Sequence, residues 1–321
     1  MTVQYPMEPG TLRTLIALGL VLLSCNLWAD QALDRELRLA SIIDDDQRIG
    51  QLLGQGADVN SANKFGKTAL MYAAENGNLL TVSILLARGA DVNIKTVANC
   101  TALTFAAENG ELEITSLLLE RGAEVAARTR AGWNSLMIAA RYGELDIVRQ
   151  LLFKDANPNE ADKHGLTALM LAAANGHQPI VDLLLKNGAA VDIRDHEGRT
   201  ALIHWAEQGQ DSSILSMLLD AGAQIDERSL DGASALIWAA GQGHGDAVDQ
   251  LLAKGANVNA RDKDGTTALM EAVAVRSVDI VKRLVRNGAD LGARNQSGMT
   301  ALDLADKQRN QPIRMILEQR P

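Results

Sequence analysis

Five histidines, two cysteines and a few carboxylate clusters are the side chains with which this sequence could do chemistry. His164, His177, His196, His204 and His244 are scattered, and no two stand four apart on a helix around a glutamate, the spacing that brings two imidazoles to one zinc ion. Cys25 and Cys100 form no C-x-x-C pair, so neither a structural zinc site nor a disulfide framework is expected. Asp44-Asp45-Asp46 lacks the spaced oxygen ligands and closing glutamate of a calcium loop and reads as a solvated turn. Gly66-Lys67-Thr68 resembles the end of a phosphate loop, but the glycine needed five places earlier is Ser61 and no strand precedes it. Gly232-Ala233-Ser234-Ala235-Leu236 lacks the second glycine of a nucleophile elbow, and Ser234 is expected to cap a helix. No catalytic group, metal or cofactor is expected.

The elements that carry these residues follow from self-comparison. Thr68-Ala69-Leu70, Thr101-Ala102-Leu103, Thr167-Ala168-Leu169, Thr200-Ala201-Leu202, Thr267-Ala268-Leu269 and Thr300-Ala301-Leu302 recur in one frame, with Asn134-Ser135-Leu136 and Ser234-Ala235-Leu236 filling the gaps. The frame leucines step by 33 residues, with one step of 34 between Leu202 and Leu236, and Leu37 extends the series backward. A period of this size predicts a stack of helix pairs and overrules the two-domain prior that 321 residues would suggest. Thr or Ser before each first helix can accept from its free N–H groups. The second helix carries a stripe such as Leu145, Val148, Leu151 and Leu152. Glycines from Gly77 to Gly243 end the first helices, and glycines from Gly89 to Gly288 end the second in the left-handed conformation. Asn99 replaces glycine at one turn, the residue type most tolerant of positive φ after glycine. The extra residue of the 34-residue step is placed at Gln210 to Ser212, with a local bulge.

Lines such as GKTALMYAAENGNLLTVSILLARGADVN from Gly66 resemble the ankyrin repeat family, with T-A-L-M or T-A-L-I in place of T-P-L-H. The resemblance implies an all-α solenoid of about nine helix-turn-helix repeats with projecting β-hairpin fingers, covering 30–321 as a single array. It also implies a non-enzymatic scaffold that binds a protein through its concave face and fingers. The first and last copies place Arg38, Ser41 and Arg48, and Asp303, Asp306, Arg314 and Glu318, at positions elsewhere apolar or alanine, as terminal copies of a linear array require.

Arg13 precedes a charge-free stretch with an apolar centre, Leu15 to Leu23, and Ala29 stands before Asp30, the pattern of a secretory signal over 1–29. Leu22-Leu23-Ser24-Cys25 competes as a lipobox that would lipidate Cys25. Either way the mature chain is expected outside the cytoplasm, in a bacterial periplasm or secreted, with no insertion beyond a lipid anchor. Loss of Glu8 and Arg13 with the leader leaves the net charge at −9, a sign that repels phosphate backbones and argues against nucleic acid.

Positions fixed by packing stay alike between copies, and free positions drift. The residue after each turn drifts through Lys67, Cys100, Trp133, Leu166, Arg199, Ala233, Thr266 and Met299, as do the two residues before each helix-ending glycine. One copy gathers Arg128, Arg130, Trp133, Arg141 and Tyr142 at such positions, the side-chain types that dominate binding energy. They are the expected partner site, with the fingertips at Lys163, His164 and His196 as the other surface. Tyr72, Phe105, Trp205 and Trp238 are expected to fill the core. The expected function is a monomeric protein-binding module with an unidentified protein partner. A dedicated inhibitor, immunity or protective factor for one exported enzyme is the alternative, and an enzyme with an unfamiliar site is a remote one.

Overall fold

The computed structural model describes residues 31–209 and 212–319. Arg13, Leu15 to Leu23, Cys25 and Ala29 lie outside the described residues, as do Gln210 and Asp211 of the longer step. Among the described residues the chain runs as paired helices. α1 covers 31–42, followed by α2 (Asp46–Gly54), α3 (Ala69–Glu75), α4 (Leu79–Ala87), α5 (Ala102–Glu108) and α6 (Leu112–Glu120). Then come α7 (Ser135–Tyr142), α8 (Leu145–Phe153), α9 (Ala168–Ala174), α10 (Gln178–Lys186), α11 (Ala201–Gln208) and α12 (Ser212–Asp220). The series closes with α13 (Ala235–Gln242), α14 (Gly245–Ala253), α15 (Ala268–Ala274), α16 (Val278–Arg286), α17 (Ala301–Lys307) and α18 (Gln311–Glu318). None is long and apolar enough to cross a membrane. The helices group into two compact units, one ending at Ala127 and one beginning at Arg128.

Within each unit the first helices pack side by side, α3 on α5 in one and α9 on α11 on α13 on α15 in the other. Alanines make this approach possible: Ala73, Ala74, Ala106, Ala107, Ala172 and Ala173 are fully buried. The frame leucines from Leu37 to Leu269 are buried to within 1% of their surface, while Leu302 in the last copy is partly exposed. Along α8 the buried stripe is Ile147, Val148 and Leu151, and Leu145 and Leu152 sit at its edges, one position off the expected centre. Trp205, standing where the other copies have alanine, is fully buried.

Thr68, Thr101, Asn134, Thr167, Thr267 and Thr300 each accept from the third helical N–H, the expected cap. Ser234 and Thr200 do not: both hold the N-cap position, yet neither hydroxyl makes the bond. The glycine stops adopt positive φ, and so does Asn99 at 61°.

Repeats are stitched by side chains at one position. Asn60, Asn93, Asn159 and Asn259 each donate to a carbonyl in the next repeat, that of Gly89, Gly122, Gly188 and Gly288. Each also accepts the backbone N–H two residues further on. His177 and His244 reach back to the carbonyls of Arg141 and Glu207 in the preceding repeat, each at 2.9 Å.

The fingers are tight turns closed by single bridges such as Ala62 with Thr68 and Ala161 with Thr167, so the expected β-hairpins contain no extended strand among the described residues. Successive tips bond to one another. Val97 N–H donates to Phe65 O, Lys163 to Ala131, His196 to His164, Leu230 to Glu197, Lys263 to Asp231 and Gln296 to Asp264, at 2.7–3.2 Å. Glycine is needed here twice over: Gly165 has φ +84°, and a Cβ on it would stand 2.8 Å from Asp195 Cα.

At the amino-terminal end Arg38 donates to Ser61, Arg48 pairs with Glu36, and Ser41 is buried with its hydroxyl on Leu37 O. Ser41 therefore packs inward and is not part of a polar end face, because a serine can return its donor to its own helix. Asp45 caps α2, and the single proton of the buried Thr81 hydroxyl is shared between Asp44 and Asp46, whose oxygens lie 2.9 and 2.8 Å from it. At the other end Arg314 pairs with Asp306 and Glu318.

Candidate partner-binding face

The residue after each turn and the residue eight places on meet across the face of the first helix. Lys67 pairs with Glu75, Arg199 with Glu207 at 3.4 Å, and the Arg141 guanidinium lies 5.0 Å from the centre of the Trp133 ring. The turn supplies one member and the last turn of the helix the other, so the two drifting series occupy one surface. Five places after the turn residue stands a third series, Tyr72, Phe105, Ile138, Leu171, His204, Trp238, Glu271 and Leu304. Tyr72, Phe105 and Trp238 are half-buried on this surface and do not fill the core. Only Trp205, one position on and hence turned inward, does so. Lys67 shows how the series cooperate, its ammonium lying 4.5 Å from the Tyr72 ring and 4.3 Å from the Phe105 ring.

The five expected site residues do not behave alike. Trp133 is half-buried, and its indole N–H donates to Asp162 Oδ2 of the next turn at 2.7 Å. Arg141 and Tyr142 are exposed, with the guanidinium also 5.9 Å from the Tyr142 ring. Tyr142 keeps 48% of its surface in solvent. Arg130 is exposed at the tip of its turn. Arg128 is occupied by the fold, donating to Gly132 O and to Ala161 O in the next repeat and pairing with Glu160. The same brace recurs at Arg194, which reaches Arg228 O, and at Arg228, which reaches Arg261 O. The structure thus brings Trp133, Arg141 and Tyr142 together and assigns Arg128 to the stitching between repeats. Lys163, His164 and His196 are exposed at their tips.

A family model described as "Ankyrin repeats (3 copies)" matches residues 37–129, 136–229, 213–295 and 236–320. The chain belongs to the ankyrin repeat family. Ankyrin repeats of this kind are protein–protein interaction modules, and their all-α fold is typically non-enzymatic. No curated protein matches this ankyrin chain.

One cluster on the same ankyrin face went unread in the sequence. His204, 7% exposed, places Nε2 2.9 Å from Asp195 Oδ2, which also accepts from Arg199 Nε at 3.0 Å. Burial, then the Arg199 charge, push the His204 pKa below its ordinary value against the pull of Asp195 and Glu207. Burial alone would raise Asp195, but the Arg199 N–H, the His204 bond and the Arg199 charge outweigh it and hold the carboxyl below its usual range. The second imidazole nitrogen faces Glu207 at 3.7 Å. With both nitrogens turned to carboxylates, the ring has none aimed at a hydroxyl or thiol, so the arrangement ties a turn to its helix and is not that of a general base. The signal was present in the nine-residue spacing from Asp195 to His204, which Asn63 and Tyr72 repeat with a 2.9 Å bond. Among the described residues no three His, Cys, Asp or Glu side chains converge as a metal site.

Proposed function

We propose that this ankyrin repeat protein works outside the cytoplasm, in the bacterial periplasm, where it binds a protein partner through the face centred on Trp133, Arg141 and Tyr142, flanked by Arg128 and Arg130. One observation carries the reading: a guanidinium held over an indole, with an exposed tyrosine beside it. Arginine and aromatic side chains of this kind supply most of the binding energy in protein interfaces. The basic residues at the same position in two other repeats are closed within those repeats, Lys67 by Glu75 and Arg199 by Asp195 and Glu207. Export rests on the sequence of 1–29, a leader lost at Ala29 or at a lipidated Cys25. The mature residues from 30 onward then form the binding module.

The test is quantitative affinity capture from a periplasmic extract with the wild-type chain, Arg141→Ala and Tyr142→Ala as parallel baits. A protein retained by the wild type should fall by about 30-fold or more in affinity for each variant, since an anchor contributes ~2 kcal/mol or more. Equal retention by all three baits would refute the site. Intact-mass measurement of the purified mature chain checks export: a mass that includes residues 7–29 would refute it.

A further inference from the structure

The repeat built on α13 is one of those, with the repeats of α9 and α15, whose turn residue and residue eight places on are too small or too unlike to pair. Its turn residue is Ala233 and the residue eight places on is Gly241, and neither side chain can reach the other where Lys67–Glu75, Trp133–Arg141 and Arg199–Glu207 close the same place. A cavity of about 220 Å³ is left, with Trp238 on one side and Glu271 and Asp262 of the next repeat on the other.

The chain itself shows what belongs there. Lys67 extends its ammonium between the third-series residues of two successive repeats, Tyr72 and Phe105, and onto Glu75. In the α13 repeat the corresponding pair is Trp238 and Glu271, an aromatic side chain and a carboxylate lining one cavity, and the lysine is replaced by alanine. Asp262 adds a second carboxylate; burial, then the Asp262 charge, raise the pKa of Glu271, and among the described residues neither acid is joined by a basic side chain. The bond that ties the turn to its helix in other repeats is also missing here. Trp238 Nε1 is buried without a hydrogen-bond partner, where Tyr72 and His204 at the same position bond to Asn63 and Asp195. Ser229, which stands where Asn63 and Asp195 do, leaves its hydroxyl unpaired as well.

We propose that this cavity receives the ammonium or guanidinium of a basic side chain from the protein partner, in the place that Lys67 and Arg199 fill within their own repeats. The proposal rests on reading the face as the partner surface, but its test needs no partner, so either can fail alone. An aromatic ring and carboxylates around a partly buried place favour a cation by attraction to the ring quadrupole and by charge-assisted hydrogen bonding.

The indole N–H signal of Trp238, identified in the isotope-labelled full chain by its loss in Trp238→Phe, is followed by nuclear magnetic resonance. The probes are N-acetyl-lysine methylamide and N-acetyl-arginine methylamide, with N-acetyl-norleucine methylamide as the neutral control. A cationic probe should shift the signal saturably, and the neutral one should not. Glu271→Gln should weaken the response about tenfold or more, the scale of one charge-assisted hydrogen bond. Ala233→Lys, which installs an ammonium in cis, should abolish it. The proposal is overturned if neither cationic probe moves the signal, if the neutral probe moves it equally, or if Glu271→Gln binds as the wild type does. Should Ala233→Lys fail to fold, the Glu271→Gln comparison decides alone.

Discussion

Replacing Trp133 with phenylalanine separates what this residue does for folding from what its face does for binding. The indole N–H donates at 2.7 Å to Asp162 Oδ2, and Asp162 is 8% exposed. The other oxygen of that carboxylate accepts the backbone N–H groups of His164 and Leu166, so the indole serves an oxygen those amides do not. Hydrogen bonds to charged groups contribute roughly 1.5–3 kcal/mol. Because Trp133 is only half-buried, water can partly replace the lost donor, and the expected cost is about 1–1.5 kcal/mol. Phenylalanine keeps a ring beneath Arg141, so the loss isolates the hydrogen bond. In an Asp162→Asn background the amide oxygen can still serve the two backbone donors, but its nitrogen offers no acceptor to the indole. Trp133→Phe should then cost less than about 0.5 kcal/mol, the usual range for substitutions that break no buried feature. The double-mutant cycle is measured by urea denaturation followed by far-ultraviolet circular dichroism, comparing midpoints at constant slope. An equal loss in both backgrounds would refute the reasoning, and so would no loss in either.

Leu169→Ala, by contrast, should cost about 2–5 kcal/mol in the same assay, because a buried frame leucine leaves a cavity between tightly packed helices. Arg141→Ala and Tyr142→Ala should stay within about 0.5 kcal/mol of the wild type, both residues being exposed. Gly165→Ala should cost more than the ~1–2 kcal/mol of a left-handed alanine, since its Cβ also meets backbone of the next turn; an unchanged midpoint would count against the tip contact. The depressed pKa of His204 means that the folded chain favours the neutral ring, so the unfolded chain takes up the proton first. Stability from this residue is complete above about pH 6.5 and declines as the pH falls below it, with a further decline below about pH 4 as Asp195 is protonated. His204→Gln should remove the upper decline, seen as a flatter plot of urea midpoint against pH between 7.5 and 5.

The periodic elements were legible because their physics is local. Thr68 caps its own helix, Gly77 ends it, and the frame leucine returns after 33 residues in every step but one. Asn99 at positive φ was legible for the same reason. What escaped the sequence joins side chains to backbone in another repeat. The partner of Arg128 is the carbonyl of Ala161, and that of His177 is the carbonyl of Arg141, atoms every residue possesses and no residue type announces. Arginine in a drifting copy therefore read as a binding residue, although Arg194 and Arg228 at the same repeat position perform the same brace. The half-burial of Tyr72, Phe105 and Trp238 was misjudged by one helical position. Their series faces the turns, whereas Trp205 on the next position points into the stack. The cavity beside Trp238 was hidden because it is made by what Ala233 and Gly241 lack.

The bonds between successive fingertips have a consequence for how the protein exchanges hydrogen with solvent. Lys163, His196, Leu230, Lys263 and Gln296 are exposed residues, yet their amides each end on a carbonyl of the preceding tip. Such an amide can exchange only when two neighbouring tips part, so its protection reports that separation and not the breathing of its own turn. Deuterium uptake at these positions would therefore read the docking of one repeat on the next, one junction at a time, along the second unit.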